Sequence, residues 1–368
     1  MANKNDSYSK SGVGYSSIDP IKVLAQKLAV STSDNLKNFE AKEIAASRGE
    51  SAYVWEEADA YRALVIEGLG TKNLVADEMR KISGKSYYDQ LAQDTVAMIV
   101  NDLVCVGALP QVINAYFGIG DSKWLEDKQR ASDLVTGWAK ACQMSGAVWG
   151  GGETPVLKGV INPATIDLAG SSVGIIKPKD RLVLGDKLQI GDAIVLIGSS
   201  GIHANGLTLA RKVADGLPDG YATKLEDSRL YGEALLTPTN IYVDLVRSLL
   251  EQNLDIHYMV NITGHGWRKL MRATQPFSYV IEQVSEPTAE FKFIQKQAGI
   301  SDQEMYGTFN MGAGFAVMLP VGDADQVLQT AKKLNLQAWT AGKVEAGPKQ
   351  VVIKPKNITF AADALEVR

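Results

Sequence analysis

Cysteine is scarce in this chain: Cys105 and Cys142 are the only two in 368 residues. They form no CxxC pair, which excludes a zinc site built from thiolates. Both fall in apolar, helix-patterned sequence, and free cysteine is among the most buried residue types, so two buried free thiols are predicted. Basic runs are missing too. With 38 Lys+Arg against 42 Asp+Glu and a formal net charge of −4, the chain has no basic stripe to offer a nucleic acid. No stretch approaches the ~18 apolar residues of a membrane span. The opening MANKNDSYSKSG lacks the apolar core of a signal peptide, so the cytoplasm is the expected compartment, with no membrane partner. Tandem repeats and low-complexity segments are also absent.

What is present is an ordinary globular composition, 45% hydrophobic and 22% charged. The length suggests two domains. Residues 1–18 are polar and read as a flexible arm. Asp19-Pro20 is predicted to open a helix, with aspartate as cap and proline at the first helical position. Residues 31–60 carry no clear period and read as a long surface excursion. Strands are predicted at 63–67, 112–120 and 166–176, with a short one running into Gly150-Gly151-Gly152. Helices are predicted at 87–107 and 127–145. The pattern restarts near Lys177-Pro178-Lys179-Asp180, which is taken as the domain boundary. Beyond it, a strand at 193–198 runs into a glycine turn. Helices follow at 205–216, 242–252 and 324–335, and strands at YVIEQV and FAVMLPV. The reading is α/β (α+β), with domains at 19–178 and 179–356 and a tail at 357–368.

The 87–107 helix is the most informative element. Asp94 and Asn101, seven residues apart, lie about 20° apart around the axis, and Asp102 lies about 80° from Asp94. Leu91, Met98 and Cys105 share that sector, so polar groups sit inside an apolar stripe. A buried, unpaired carboxylate costs several kcal/mol. Two readings answer that cost: salt-bridged or capping aspartates, or a magnesium site completed by phosphates. Glu67-Gly68-Leu69-Gly70-Thr71-Lys72 follows a strand directly. It is either a tight turn or a phosphate cradle, with Thr71 and Lys72 as polar contacts. Gly150-Gly151-Gly152-Glu153-Thr154 is likewise a structural turn or an acid aimed at a ligand. The run Gly198-Ser199-Ser200-Gly201-Ile202-His203-Ala204-Asn205-Gly206 joins a strand to a helix, where backbone amides can bind an anion. There His203 is either structural or a phosphate donor and proton carrier.

Nine collinear segments together resemble the aminoimidazole ribonucleotide synthetase (phosphoribosylformylglycinamidine cyclo-ligase) family. They are SYSKSGV at 7–13, GLGTK at 68–72, AQDTVAMIVNDLVCVGALP at 92–110, GGET at 151–154 and DLAGSSVGII at 167–176. The others are GSSGIHANGLTLARK at 198–212, LLTPTNIY at 235–242, ITGHGW at 262–267 and EMYGTFNMG at 304–312. The resemblance implies an N-terminal ATP-binding domain that dimerises through its sheet, beside a C-terminal synthetase domain. It implies ATP and Mg2+ as cofactors, a small-molecule nucleotide substrate and a homodimer. The implied reaction is cyclisation of formylglycinamidine ribonucleotide through phosphorylation of its amide oxygen.

By residue, the resemblance implies metal ligation by Glu67, Asp94 and Asp102, and ATP contacts from Gly68, Gly70, Thr71, Lys72, Asn101, Gly151, Gly152, Glu153 and Thr154. Substrate contacts would come from Ser199, Ser200, His203, Asn205, Thr263, Gly264 and Asn310. Asp94, Asp102, Lys72 and His203 would be the catalytic set. Three features depart from the family pattern. Glu67 stands where aspartate is usual. Residues 38–57 replace a glycine-rich nucleotide loop and hold Gly49 alone. Asn261 and His265 interrupt a turn that usually starts with histidine and runs through three glycines. Lys42 or Arg48 is expected to grip phosphate in place of the missing glycines. The rivals are another ATP-dependent synthetase or kinase of the same superfamily, or a non-catalytic nucleotide-binding paralogue.

Overall fold

A computed structural model describes residues 15–365, with the side chains of residues 15–20 and 22 left out. Two sheets divide the chain. The first contains β1 (Lys42–Glu43), β2 (Tyr53–Glu56), β3 (Tyr61–Gly68), β4 (Leu109–Ile119), β5 (Val148–Glu153) and β6 (Ile166–Ile176), in the order β1-β2-β3-β6-β4-β5. All its pairings are antiparallel except β4 with β5. The second contains β7 (Ala193–Gly198), β8 (Tyr258–Asn261), β9 (Phe277–Ile281), β10 (Ala313–Leu319), β11 (Ala338–Ala346), β12 (Gln350–Ile353) and β13 (Ile358–Ala361). Its order is β13-β12-β9-β11-β7-β10-β8.

The helices are α1 (Tyr15–Val30), α2 (Lys72–Ser83), α3 (Tyr88–Val104), α4 (Lys128–Met144), α5 (Leu207–Asp215), α6 (Tyr231–Leu235), α7 (Val243–Glu251), α8 (Ala289–Ala298), α9 (Asp302–Thr308) and α10 (Ala324–Lys333). Helix α3 packs on β3 and β6. Glycines let it sit close. A Cβ at Gly170 would lie 2.8 Å from Ile99 Cδ1, and one at Gly174 would lie 2.7 Å from Leu103 Cδ2. Burial along β6 alternates strictly, so one face meets α3 and the other does not.

Several expectations are corrected. Helix α1 begins at Tyr15, ahead of the Asp19-Pro20 start, so residues 15–18 of the supposed arm are helical; residues 1–14 lie outside the described residues. The 31–60 excursion contributes β1 and β2 to the sheet edge and buries Val54 completely. Those strands, two and four residues long, are too short to show a period. The supposed tail from 357 contains β13, which pairs antiparallel with β12. Both cysteines are buried and free, and burial pushes their thiols up, to about 12 for Cys105 and about 11 for Cys142.

Candidate functional site

The polar stripe of α3 turns out to be the seam between the two halves. Asp94 is completely buried and forms an ion pair with Lys72 Nζ at 2.8 Å. Its other carboxylate oxygen accepts from the backbone N–H of Thr239 at 2.8 Å and from the Thr239 hydroxyl. Lys72, also fully buried, donates further to the carbonyls of His203 and Thr237, each at 2.9 Å. Burial pushes the Asp94 carboxyl up and the Lys72 ammonium down, and their contact opposes both shifts. The residue before Asp94 and one about two turns after it continue the docking. Gln93 donates to the carbonyl of Thr239 at 3.0 Å. Asn101 donates to the carbonyl of Asn240 at 2.8 Å and accepts from Tyr242 N–H at 2.9 Å.

This corrects the expected roles of three residues. Lys72 spends its three donors inside the protein and faces no open phosphate site. Asp94 is held by an ammonium and two Thr239 donors, which commits its carboxylate to the seam. Asn101 uses its amide on the 240–242 backbone rather than on a nucleotide. The salt-bridge alternative holds for Asp94, because a helix stripe records polarity but not what faces it.

Asp102 has a different environment. Asn261, the last residue of β8, donates to its Oδ1 at 2.7 Å. Across from it stands Glu67, near the end of β3. Burial and the nearby Asp102 charge raise the Glu67 carboxyl to about 7, while Lys269 and Arg272 oppose the shift. Lys269 is buried, donates to Thr263 Oγ1 at 2.7 Å, and is pushed below the usual lysine range by burial. An acid pair from the first half thus meets two cations from the second. Beside Glu67 opens a cleft of about 240 Å³, lined by segments 47–53 and 64–67 and by Gln26.

The glycine motifs reach the same sheet end. Gly68 pairs with Ala169, Ala169 with Tyr116, and Tyr116 with Glu153. Gly68 and Glu153 therefore sit on one cross-strand row, three strand spacings or about 14 Å apart. Gly151, Gly152, Glu153 and Thr154 are exposed at the edge, and Gly70 and Thr71 form the turn into α2. The structure does not bring Glu153 to the acid pair.

In the second half, the 198–206 turn is tied down internally. Asn310 accepts from Ser199 Oγ and Gly312 N–H, each at 2.9 Å, and donates to the carbonyl of Gly201 at 2.9 Å. Ser200 Oγ donates to the carbonyl of Pro238. His203 is buried with φ 59°, and its Nε2 accepts from Ser200 N–H at 3.2 Å. Burial, aided by the Lys72 charge, drops its imidazole to about 3. With Nε2 accepting and burial disfavouring the charged form, the imidazole is poorly suited to carry a proton, which corrects that expected role, while its Nδ1 keeps a donor. Half-buried Asn205 lies over α3, its amide 3.7 Å from Met98 Sδ, one turn from both Asp94 and Asp102. Thr263 and Gly264 flank Lys269 in the turn after β8.

The described residues contain no cluster of three or more His, Cys, Asp or Glu side chains able to hold a metal. No described helix is long and apolar enough to cross a membrane. Residues 49–176 match the AIR synthase related protein, N-terminal domain family, and residues 189–354 match the corresponding C-terminal domain family. The chain belongs to the AIR synthase related family. A phosphoribosylformylglycinamidine cyclo-ligase of Methanococcus maripaludis strain C6 is 35% identical over 340 residues, covering 92% of each chain. One from Carboxydothermus hydrogenoformans is 34% identical over 326 residues, covering 86% of this chain and 91% of that one. The AIR synthase related fold recurs in solved structures below 20% identity. The HypE-HypF complex gives a TM-score of 0.60 at 17% identity, covering 86% of this chain and 93% of that one. AaThiL complexed with AMPPCP and TMP gives 0.57 at 16%, covering 88% and 92%.

Sequence reasoning missed Lys269, Arg272 and Thr239. Lys269 and Arg272 are separated by two apolar residues, the spacing of neighbours on one helical turn. That is a weak local signal, and nothing in the sequence says that it faces an acid pair some 170–200 residues earlier.

Proposed function

We propose that this chain is an ATP-dependent phosphoribosylformylglycinamidine cyclo-ligase acting at the end of the first sheet. The observation that carries the reading is Glu67, at the end of the cleft and within reach of the Asp102 charge. Two carboxylates forced together by the fold favour a cation, and burial plus mutual repulsion raises Glu67 to about 7 in its absence. Magnesium takes one or two carboxylates together with nucleotide phosphates, so these two residues fit that ion. When bound, it would neutralise phosphate charge. Asp94 leaves the ligand set for the reasons of geometry given above.

The chemistry asked of the chain is modest. The amide oxygen of the substrate attacks the γ-phosphorus of ATP, releasing ADP and leaving a phosphorylated imidate. The neighbouring ring-forming nitrogen then attacks that carbon, and phosphate departs with the C–O bond electrons. Phosphoryl transfer relies on positioning and charge stabilisation. Lys269 and Arg272 supply fixed positive charge beside the acid pair. Asn205, Thr263 and Gly264 are the substrate contacts we retain from the expected set, with Gly68, Gly70, Thr71 and the exposed 151–154 turn on the nucleotide side. Ser199, Ser200, His203 and Asn310 shape the turn beneath.

A cytoplasmic homodimer completes the proposal. The sheet face turned away from α3 leaves Leu64, Val112 and Val148 exposed, and Ile66 75% exposed. Apolar residues of neighbouring strands on one uncovered sheet face favour a second copy of the chain, and C₂ dimers are the commonest assembly.

The test is direct. Purified protein with ATP, magnesium and formylglycinamidine ribonucleotide should release ADP and an aminoimidazole in equal amounts. ADP release without the imidazole would favour another synthetase or kinase of this fold. Neither product, with no nucleotide binding by calorimetry, would favour the non-catalytic reading.

A further inference from the structure

The 38–57 segment holds a single glycine, Gly49, and two cations expected to grip phosphate, of which Arg48 lines the cleft. Lys42 is exposed on β1. Arg48 is paired with Glu43, donates to the carbonyl of Ala29, and lies 5.4 Å from the Tyr53 ring. The tip of the segment is held from elsewhere. Arg272, from the second half, donates through Nε to the carbonyl of Gly49 and through a terminal guanidinium nitrogen to Ser51 Oγ, each at 2.9 Å. Tyr258, on β8, donates its hydroxyl to Glu50 Oε2 at 2.8 Å. Three consecutive residues at the tip are therefore tied to a partner more than 200 positions away. The base is tied to nearer parts of the chain, through Arg48 on the Ala29 carbonyl and through Ser47, whose hydroxyl accepts from Val54 N–H at 2.9 Å. Residues 49–51 form one wall of the cleft whose other wall ends at Glu67.

We infer that Arg272 is a positioning residue that closes the nucleotide cleft: it holds the 49–51 wall from the C-terminal half, so that nucleotide binding depends on how the two halves are docked. This rests on the cleft being the nucleotide site. A guanidinium suits the place because its planar fork aims two N–H donors in a fixed geometry at the Gly49 carbonyl and the Ser51 hydroxyl, whereas an ammonium keeps the charge but not the fork. Arg272→Lys keeps the charge and removes the fork.

The test uses the full chain, MgADP as probe, and three variants: Arg272→Lys, Arg272→Gln, and the double Ser51→Ala/Tyr258→Phe, which removes side-chain partners without touching Arg272. Backbone hydrogen exchange over 48–52 should quicken at least tenfold in Arg272→Gln and in the double variant. The dissociation constant for MgADP and the Michaelis constant for ATP should rise about tenfold in Arg272→Lys and more in Arg272→Gln. The Michaelis constant for the formylglycinamidine substrate should stay within about twofold, and the urea unfolding midpoint should stay close to the parent's. Unchanged exchange over 48–52 would overturn the clamp. Faster exchange with unchanged MgADP affinity would overturn its link to nucleotide. Equal losses in both Michaelis constants would reduce Arg272 to general support. A parent protein that exchanges slowly at 48–52 but binds no MgADP would instead sink the nucleotide reading of the cleft, and the inference with it.

Discussion

Replacing Glu67 by glutamine should stabilise the ligand-free protein while removing its use of magnesium. Burial and Asp102 raise the Glu67 carboxyl from 4.5 to about 7. A raised carboxyl binds its proton more tightly in the folded state than in the unfolded one, so stability falls as pH climbs from about 4.5 to about 7 and stays low above. At about 1.36 kcal/mol per pKa unit, the ionised group costs the fold about 3 kcal/mol at pH 8 and under about 1 kcal/mol at pH 5. Glutamine cannot ionise and escapes that cost. With an unfolding entropy of about 2.1 cal/mol/K per residue, Glu67→Gln should melt about 4 °C higher at pH 8 and about 1 °C higher at pH 5. Magnesium and ADP should bind the parent with release of close to one proton near pH 6.5, measured by calorimetry in buffers of different ionisation enthalpy, and the variant should release none. A melting shift that is flat from pH 5 to 8, or negative at pH 8, would refute the account of Glu67 as a carboxyl held against its charge.

Asp102→Asn should lower turnover at least a hundredfold with an intact fold, and the Glu67 proton release should fade with it, since its like-charge neighbour is gone; retained activity with unchanged magnesium dependence would remove Asp102 from the site. Lys72→Met should cost about 3–5 kcal/mol in urea unfolding, because it leaves Asp94 buried and unpaired, and adding Asp94→Asn should recover part of that loss; strictly additive losses would contradict the pair. The His203 imidazole, about 3 in the fold against an unfolded value near 6.5, should show no titration by NMR between pH 8 and 4.5, and its contribution to stability should be lost as pH falls from about 6.5 towards 3; an inflection near pH 6.5 would return it to the candidate catalytic set. Ile66→Lys should split the homodimer in light scattering at micromolar concentration, and a dimer that persisted would move the interface off the sheet.

Much of the fold was legible because its long elements carry their period openly. Helix α3 and strands β4 and β6 have enough residues to show it, and β7 and β10 stand out as continuous apolar runs. The glycine turns 68–72, 150–154 and 198–206 stand where strands end. Edge strands β1, β2 and β13 were not legible, since two to four residues cannot display alternation. At the site, the sequence alone determined that α3 carries Asp94, Asn101 and Asp102 on neighbouring parts of one face, because helical geometry is local. Only the tertiary structure decided what those groups meet. Asp94 found Lys72 and Thr239, whereas Asp102 found Asn261 and the neighbourhood of Glu67. His203 sank into a pocket that forbids its charge. Arg272 and Lys269, silent in the sequence, arrived at the acid pair from the other half of the chain. A carboxylate's role depends on the charge and burial supplied by residues distant in sequence, and those distances close only when the two sheets pack across α3.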